Sequence, residues 1–294
     1  MSRLLDPALM MSLKNLPLAA RTTIDGFTSG INKSKVKGPG LEFSQYRSYE
    51  PGDDLRWLDW KLYARSDRYY IRESEIETSI FVRFLVDASA SMLHSDGAFA
   101  KIDYARYLVA TLGWLANQQT DGIGLYVFQD NRLFSLPVKN DHQHLYRFCH
   151  QLEQIRPGGK FTDAVQYKDM FSSSHRRELL IFVTDLYQEN NEMVQMLEAL
   201  SAQRHEVIVF HILANNEKEF DYKGYSALED LETGEQVFFD GLQDRDEMKT
   251  ELMDYFNNVR KKLAEKNIFY RRMQMDEPLD MAMKDFLKQR NQIK

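Results

Sequence analysis

Residues 80–91 read IFVRFLVDASAS, and the fold turns on how this stretch is read. The run 80–86 is apolar except for Arg83; it is too short for an independent helix and too apolar for a strand with one face in water. It therefore reads as a strand buried on both faces, ending at Asp87. Runs of the same kind lie at 123–128, 179–184, 207–213 and 268–273. Between them the apolar residues fall at helical spacing: Ile102, Ala105, Leu108, Val109, Leu112 and Leu115; Leu145, Phe148, Leu152 and Ile155; Met193, Met196, Leu197 and Leu200; Met248, Leu252, Tyr255, Val259 and Leu263. A last helix is expected over 278–290, with Pro278 at its start where a missing N–H does no harm, and a hairpin over 228–239 around Thr233-Gly234. Strands alternating with covering helices predict an α/β fold with a mainly parallel central sheet and helices on both faces.

Composition narrows the function. The chain has 294 residues, 43% hydrophobic and 28% charged, which suits a soluble globular protein. Its 38 basic and 44 acidic residues leave a formal charge of −6, so a nucleic-acid partner is not expected. A single cysteine, Cys149, excludes an internal disulfide framework and a multi-cysteine metal site, and fits a reducing compartment. No targeting segment or membrane span is read in the apolar pattern, so a cytoplasmic location is expected. Residues 1–79 differ in texture from the rest. A helix beginning near Asp6-Pro7, a basic loop over 29–40 and a strand pair at 42–49 and 69–78 make an N-terminal extension, and 80–294 form the main domain.

The chemistry gathers where the first buried strand ends. Asp87, Ser89 and Ser91 place one carboxylate and two hydroxyls on a loop at the carboxyl end of a parallel strand, where open α/β sheets bind ligands. Oxygen donors at alternate positions suit a hard divalent cation, Mg2+ best, with Mn2+ as the other choice. Gly158-Gly159-Lys160-Phe161-Thr162 offers a further hydroxyl after a glycine turn, and Asp185 directly follows the run 179–184.

These residues resemble the metal-ion-dependent adhesion site of the von Willebrand factor A domain, whose pattern is Asp-x-Ser-x-Ser, a distant Thr and a distant Asp. The resemblance implies that Ser89, Ser91 and Thr162 ligate the ion through hydroxyls, while Asp87 and Asp185 hold it directly or through water. It also implies a ligation sphere left open for a partner's carboxylate. The upstream stretch GPGLEFSQYRSYEPGDDLRWLDWKLYARSDRYYIRESE is similar to the signature of the bacterial domain-of-unknown-function fifty-eight family, A-domain proteins often encoded beside MoxR-type AAA+ ATPases. The likeness runs from about Leu13 to Arg290. Many relatives carry two membrane helices for which this sequence shows no counterpart. The function so implied is a metal-dependent protein-binding module, not an enzyme, that serves a MoxR-type ATPase as adaptor or cofactor and grips a client through an acidic residue.

Plainer readings apply elsewhere. Asp53, Asp54, Arg56 and Asp59 are candidates for partner docking, although a turn with internal salt bridges is the preferred account. Trp57 and Trp60 read as core anchors, and His142, His144 and His150 as solvated side chains. Lys33, Lys35 and Lys37 read as a solvated basic loop, and Cys149 as core. The competing function is a metal-dependent hydrolase on the same ion site, which needs a general base; His94 is the nearby candidate.

Overall fold

The computed structural model describes residues 15–30, 43–55, 58–74, 80–130, 132–161, 177–188, 191–219, 225–240 and 245–283. In chain order the elements are α1 (Leu16–Gly30), β1 (Phe43–Ser48), α2 (Trp60–Ser66), β2 (Tyr70–Ser74), β3 (Phe81–Asp87), β4 (Ser95–Asp96), β5 (Phe99–Ala100), α3 (Lys101–Gln118), β6 (Gly122–Gln129), β7 (Arg132–Lys139), α4 (His142–Gln154), β8 (Leu179–Thr184), α5 (Glu192–Ala202), β9 (Glu206–Leu213), α6 (Asn215–Glu219), β10 (Tyr225–Glu229), β11 (Gln236–Asp240), α7 (Arg245–Glu265) and β12 (Phe269–Gln274).

Six strands form one sheet in the order β12-β9-β8-β3-β6-β7. All neighbours run parallel except β7, which pairs antiparallel with β6 at the edge. Alternate residues of β3 enter different cores. Val82, Phe84 and Val86 join a buried cluster with α1, α3 and α4. Leu85 joins a second cluster with α5 and α7. Helices therefore cover both faces, as the apolar runs require. The chain starts in the middle of the sheet and builds outward to β7, then returns to β8 on the other side of β3. The order thus reverses between β3 and β8, and their carboxyl ends flank the crevice where such sheets bind ligands.

The molecule divides into two compact units, one containing α1 with the residues from Ile80 onward, the other Lys33–Ser79. The division differs from a single extension over 1–79. Ala19, Ala20 and Ile24 of α1 are buried in the main core, and the Thr23 hydroxyl hydrogen-bonds that of Tyr107 on α3. In the smaller unit, β1 and β2 pair antiparallel, and buried Leu58 bridges to buried Ile71. The stretch between β1 and β2 contains α2, whose first amides are capped by Asp59: its Oδ1 accepts from Lys61 N (3.0 Å) and Leu62 N (2.9 Å). Asp53 Oδ2 accepts from Glu50 N at 2.8 Å, closing a turn. Trp60 corrects the expectation of a core anchor: it is 59% exposed, with Tyr63 against it edge-on. Arg56 and Trp57 lie outside the described residues, as does the end of the expected last helix beyond Met283.

Candidate metal centre

Asp87, the last residue of β3, is fully buried. Its Oδ1 accepts the Ser89 N–H at 2.9 Å, and its Oδ2 accepts the Thr184 hydroxyl, from the end of β8, at 2.7 Å. The first bond turns the chain sharply, so that Ser89 and Ser91, on either side of the first residue of a single 3₁₀ turn (Ala90–Leu93), bring their hydroxyl oxygens to 3.0 Å. Ser91 Oγ donates to Asp185 Oδ1 at 3.2 Å across the crevice. Asp185 is aimed by its own loop. Leu186 N donates to Thr184 Oγ1 (2.9 Å) and Tyr187 N to Asp185 Oδ1 (3.2 Å), and Leu186 takes a left-handed φ of 56° while fully buried. A bulky residue held there marks backbone conformation imposed by the surroundings at a functional loop.

Four of the five expected ligands, Asp87, Ser89, Ser91 and Asp185, thus converge. Thr162 lies outside the described residues, but the loop leading to it is pinned to the same place. Gly158 N donates to Ala88 O at 3.0 Å and Ala90 N to Gly159 O at 2.8 Å. Gly159 has φ +68°, and a Cβ there would stand 2.5 Å from Asp130 Oδ1, so the position demands glycine. Phe161 is buried against Phe128 and Phe182.

The donor set fits a small hard cation. Two adjacent ligands of an octahedral Mg2+ at ~2.1 Å stand roughly 3.0 Å apart; the Ser89–Ser91 and Ser91–Asp185 separations are 3.0 and 3.2 Å. Among the described residues no group of three or more His, Cys, Asp or Glu side chains forms a metal cage, so an ion here depends on the hydroxyls.

The charge balance points the same way. Burial first, and then Asp185, push the Asp87 carboxyl up to about 7, against the opposing hydrogen bonds of Ser89 and Thr184. Burial would raise Asp185 as well, but Lys101 holds it below the ordinary carboxylate range. Lys101, buried at the start of α3, reaches Asp185 Oδ2 at 2.9 Å and Glu217 Oε1 at 2.6 Å. One ammonium is therefore shared by two carboxylates, and the Asp87 carboxyl stands close enough to Asp185 to feel its charge. Fully buried His211 does not correct the balance, since burial pushes it down to about 3 and keeps it neutral.

Lys101, Thr184, Glu217 and His211 escaped the sequence reading. A signal existed for Lys101: it stands one turn before Ala105 on the apolar stripe, at a helix start where a cation opposes the helix dipole. His144 also needs correction. It is fully buried, with Nε2 on the Ile123 carbonyl at 2.9 Å, not solvated. Cys149 is buried, its thiol pushed up to about 12 by burial, as a core residue should be. His94 Nε2 pairs with Asn216 Oδ1 at 2.9 Å. A cavity of about 430 Å3 opens beside the site, lined by Ser91, His94, Lys101, Asp185 and, from the β10–β11 connection, Asp230 and Leu231. Among the described residues no helix is long and apolar enough to cross a membrane.

Comparison with known proteins places the chain in a family. Uncharacterized protein Rv1480 of Mycobacterium tuberculosis is 27% identical over 232 residues, covering 78% of this chain and 73% of that protein. Uncharacterized protein Mb1516 of Mycobacterium bovis matches with the same figures. Similar solved structures include the conserved hypothetical protein BatB from Bacteroides thetaiotaomicron, with TM-score 0.48 and 16% identity over 72% of this chain and 98% of that one. An aerotolerance-related membrane protein from Bacteroides fragilis gives TM-score 0.47 and 17% identity over 73% and 100% of the two chains. Residues 45–260, more than half of the sequence, match the family described as protein of unknown function DUF58, and the chain belongs to that family.

Proposed function

We propose that this chain is a metal-dependent protein-binding module, not an enzyme, and that it serves a MoxR-type AAA+ ATPase in the cytoplasm as adaptor or cofactor. The observation that carries the metal-dependent part is the convergence of two serine hydroxyls with Asp87 and Asp185 at the reversal point of the sheet, in a cluster with surplus negative charge. Asp87, Ser89, Ser91, Thr162 and Asp185 would hold Mg2+ or Mn2+. When bound, the ion supplies a position for an outside carboxylate, an Asp or Glu of the client. The hydroxyls neutralise none of the ion's charge, and Lys101 already takes up part of that of Asp185, so an incoming acid still meets a positive centre. The partnership with the ATPase rests on the family resemblance of the stretch before Asp87.

Titration calorimetry with MgCl2 tests the site: wild type binds, whereas Asp87→Ala does not, with circular dichroism unchanged. Equal binding by both would remove the assignment. Capture of a MoxR-type ATPase should succeed in Mg2+ and weaken in chelator; equal recovery in both buffers would move docking to another surface, such as the segment bearing Asp53 and Asp59.

A further inference from the structure

The hairpin β10–β11 was legible in the sequence, but what its tip does was not. Asp230 organises the turn. Its Oδ1 accepts from Glu232 N at 2.7 Å and Thr233 N at 3.3 Å, and its backbone bonds Glu235 O and Gly234 N at 2.8 and 2.7 Å. Gly234, with φ +74°, lets the chain reverse there. This fixed tip lies over the metal crevice: Asp230, Leu231 and Glu235 line the same cavity as Ser91 and Asp185.

Glu232 is the residue that matters. The solvent-facing side of a hairpin turn is an ordinary place for a glutamate, yet its Oε1 is buried and has no hydrogen-bond partner among the described residues. A buried, unpaired carboxylate oxygen is costly unless something positive meets it. Its surroundings are those of the proposed ion. Burial raises the Glu232 carboxyl above its ordinary value and Asp185 and Asp230 add to the rise, while hydrogen bonding of the carboxyl group with the Ser89 and Ser91 hydroxyls opposes it. Two hydroxyls that would ligate the cation thus also face this carboxylate, and Lys101 is already shared between Asp185 and Glu217.

We infer that Glu232 is an internal carboxylate ligand: the β10–β11 tip places it in the position that a client's acid would take, so the chain caps its own metal face until the hairpin is displaced. This rests on the metal-site reading above and adds regulation to it. A client must then compete with a tethered carboxylate, and a partner that pulls on the hairpin would control access.

The test uses the whole chain with metal alone as probe. MgCl2 titrations compare wild type, Glu232→Gln and Ser89→Ala, and water-proton relaxation by bound Mn2+ counts the waters left on the ion. Glu232→Gln keeps the side-chain shape and the backbone bonds of the turn. The inference expects Glu232→Gln to bind Mg2+ about tenfold or more weakly than wild type, in the range seen when metal-site groups are altered, with one more water on bound Mn2+. Equal affinity and relaxation in wild type and Glu232→Gln, while Ser89→Ala loses binding, would overturn the inference and leave the metal site standing. Metal binding absent in wild type, or indifferent to Ser89→Ala, would bring down the metal site and the inference with it.

Discussion

β3 carries buried charge at both ends, in opposite states of balance. Near its start, Arg83 grips Glu178, the residue before β8, through two bonds of 2.6 and 2.9 Å; the side chains are 14% and 5% exposed. Tyr126 lies under the guanidinium at 4.7 Å, and the Glu178 N–H donates to His205 Nδ1 at 3.1 Å. One positive and one negative charge are matched in fork geometry, which closes the cluster. At the other end, Asp185 and Glu217 share Lys101, and the Asp87 carboxyl beside Asp185 is met by the Ser89 N–H and the Thr184 hydroxyl, not by a cation. The same strand pair therefore holds one finished ion pair and one cluster short of positive charge. The difference separates a structural ion pair from the site proposed to bind metal.

The largest effect should come from breaking the finished pair. Arg83→Ala takes both guanidinium bonds from the buried Glu178 carboxylate, a loss on the order of 3 to 5 kcal/mol, read by urea denaturation, with Mg2+ affinity unchanged. Asp87→Asn, measured in chelator, relieves the burial of a carboxyl but sets an amide NH2 against one of its two donors, and should cost about 1 to 3 kcal/mol, less than Arg83→Ala. Comparable losses in the two variants would erase the contrast.

The next effect is that of the proposed cation. At a free Mg2+ concentration 100 times its Kd, wild type should gain about 2.7 kcal/mol, seen as a rise in Tm, and Asp87→Asn should gain nothing. A rise of equal size in both proteins would mean that the ion binds elsewhere.

How much of this could be read beforehand depends on the range of the interactions. The four inner strands announced themselves because both faces are buried and nearly every residue is apolar, and the edge strand β12 because the apolar residues 268–270 and Met273 frame its two arginines. Strand β7 did not: it is a half-exposed edge strand carrying Pro137, which sheets tolerate at an edge where its missing N–H faces no partner. Asp87, Ser89 and Ser91 were legible as a local spacing, and Asp185 as the residue ending a buried run. Their neighbours were not, since Lys101 meets Asp185 across 84 residues and Glu217 across 116, and only the folded sheet brings them together. Trp60 and His144 were misjudged for a related reason. Residue type gives average burial, whereas one sits on a short capped helix in the small unit and the other in the first turn of α4, over a β6 carbonyl.

The smallest effect concerns the balanced end and pH. Burial lowers the His205 pKa from 6.5, with Arg83 adding to the drop and Glu178 opposing it. Below pH 6.5 the unfolded chain then takes up a proton that the folded chain refuses, so stability should fall as the solution is acidified. The slope should stay below about 1.4 kcal/mol per pH unit. His205→Asn keeps an acceptor for the Glu178 amide and removes the titration. Denaturation midpoints at pH 7.5 and 5.5 should therefore separate more in wild type than in the variant, and identical separations would contradict this assignment.

Crystals grown with Mn2+ and measured at its absorption edge test the central claim most directly. The account predicts one strong anomalous peak within ligand distance of the Ser89 and Ser91 hydroxyls, beside Asp87 and Asp185. A map empty at that point, or a peak at another place in the chain, would contradict it.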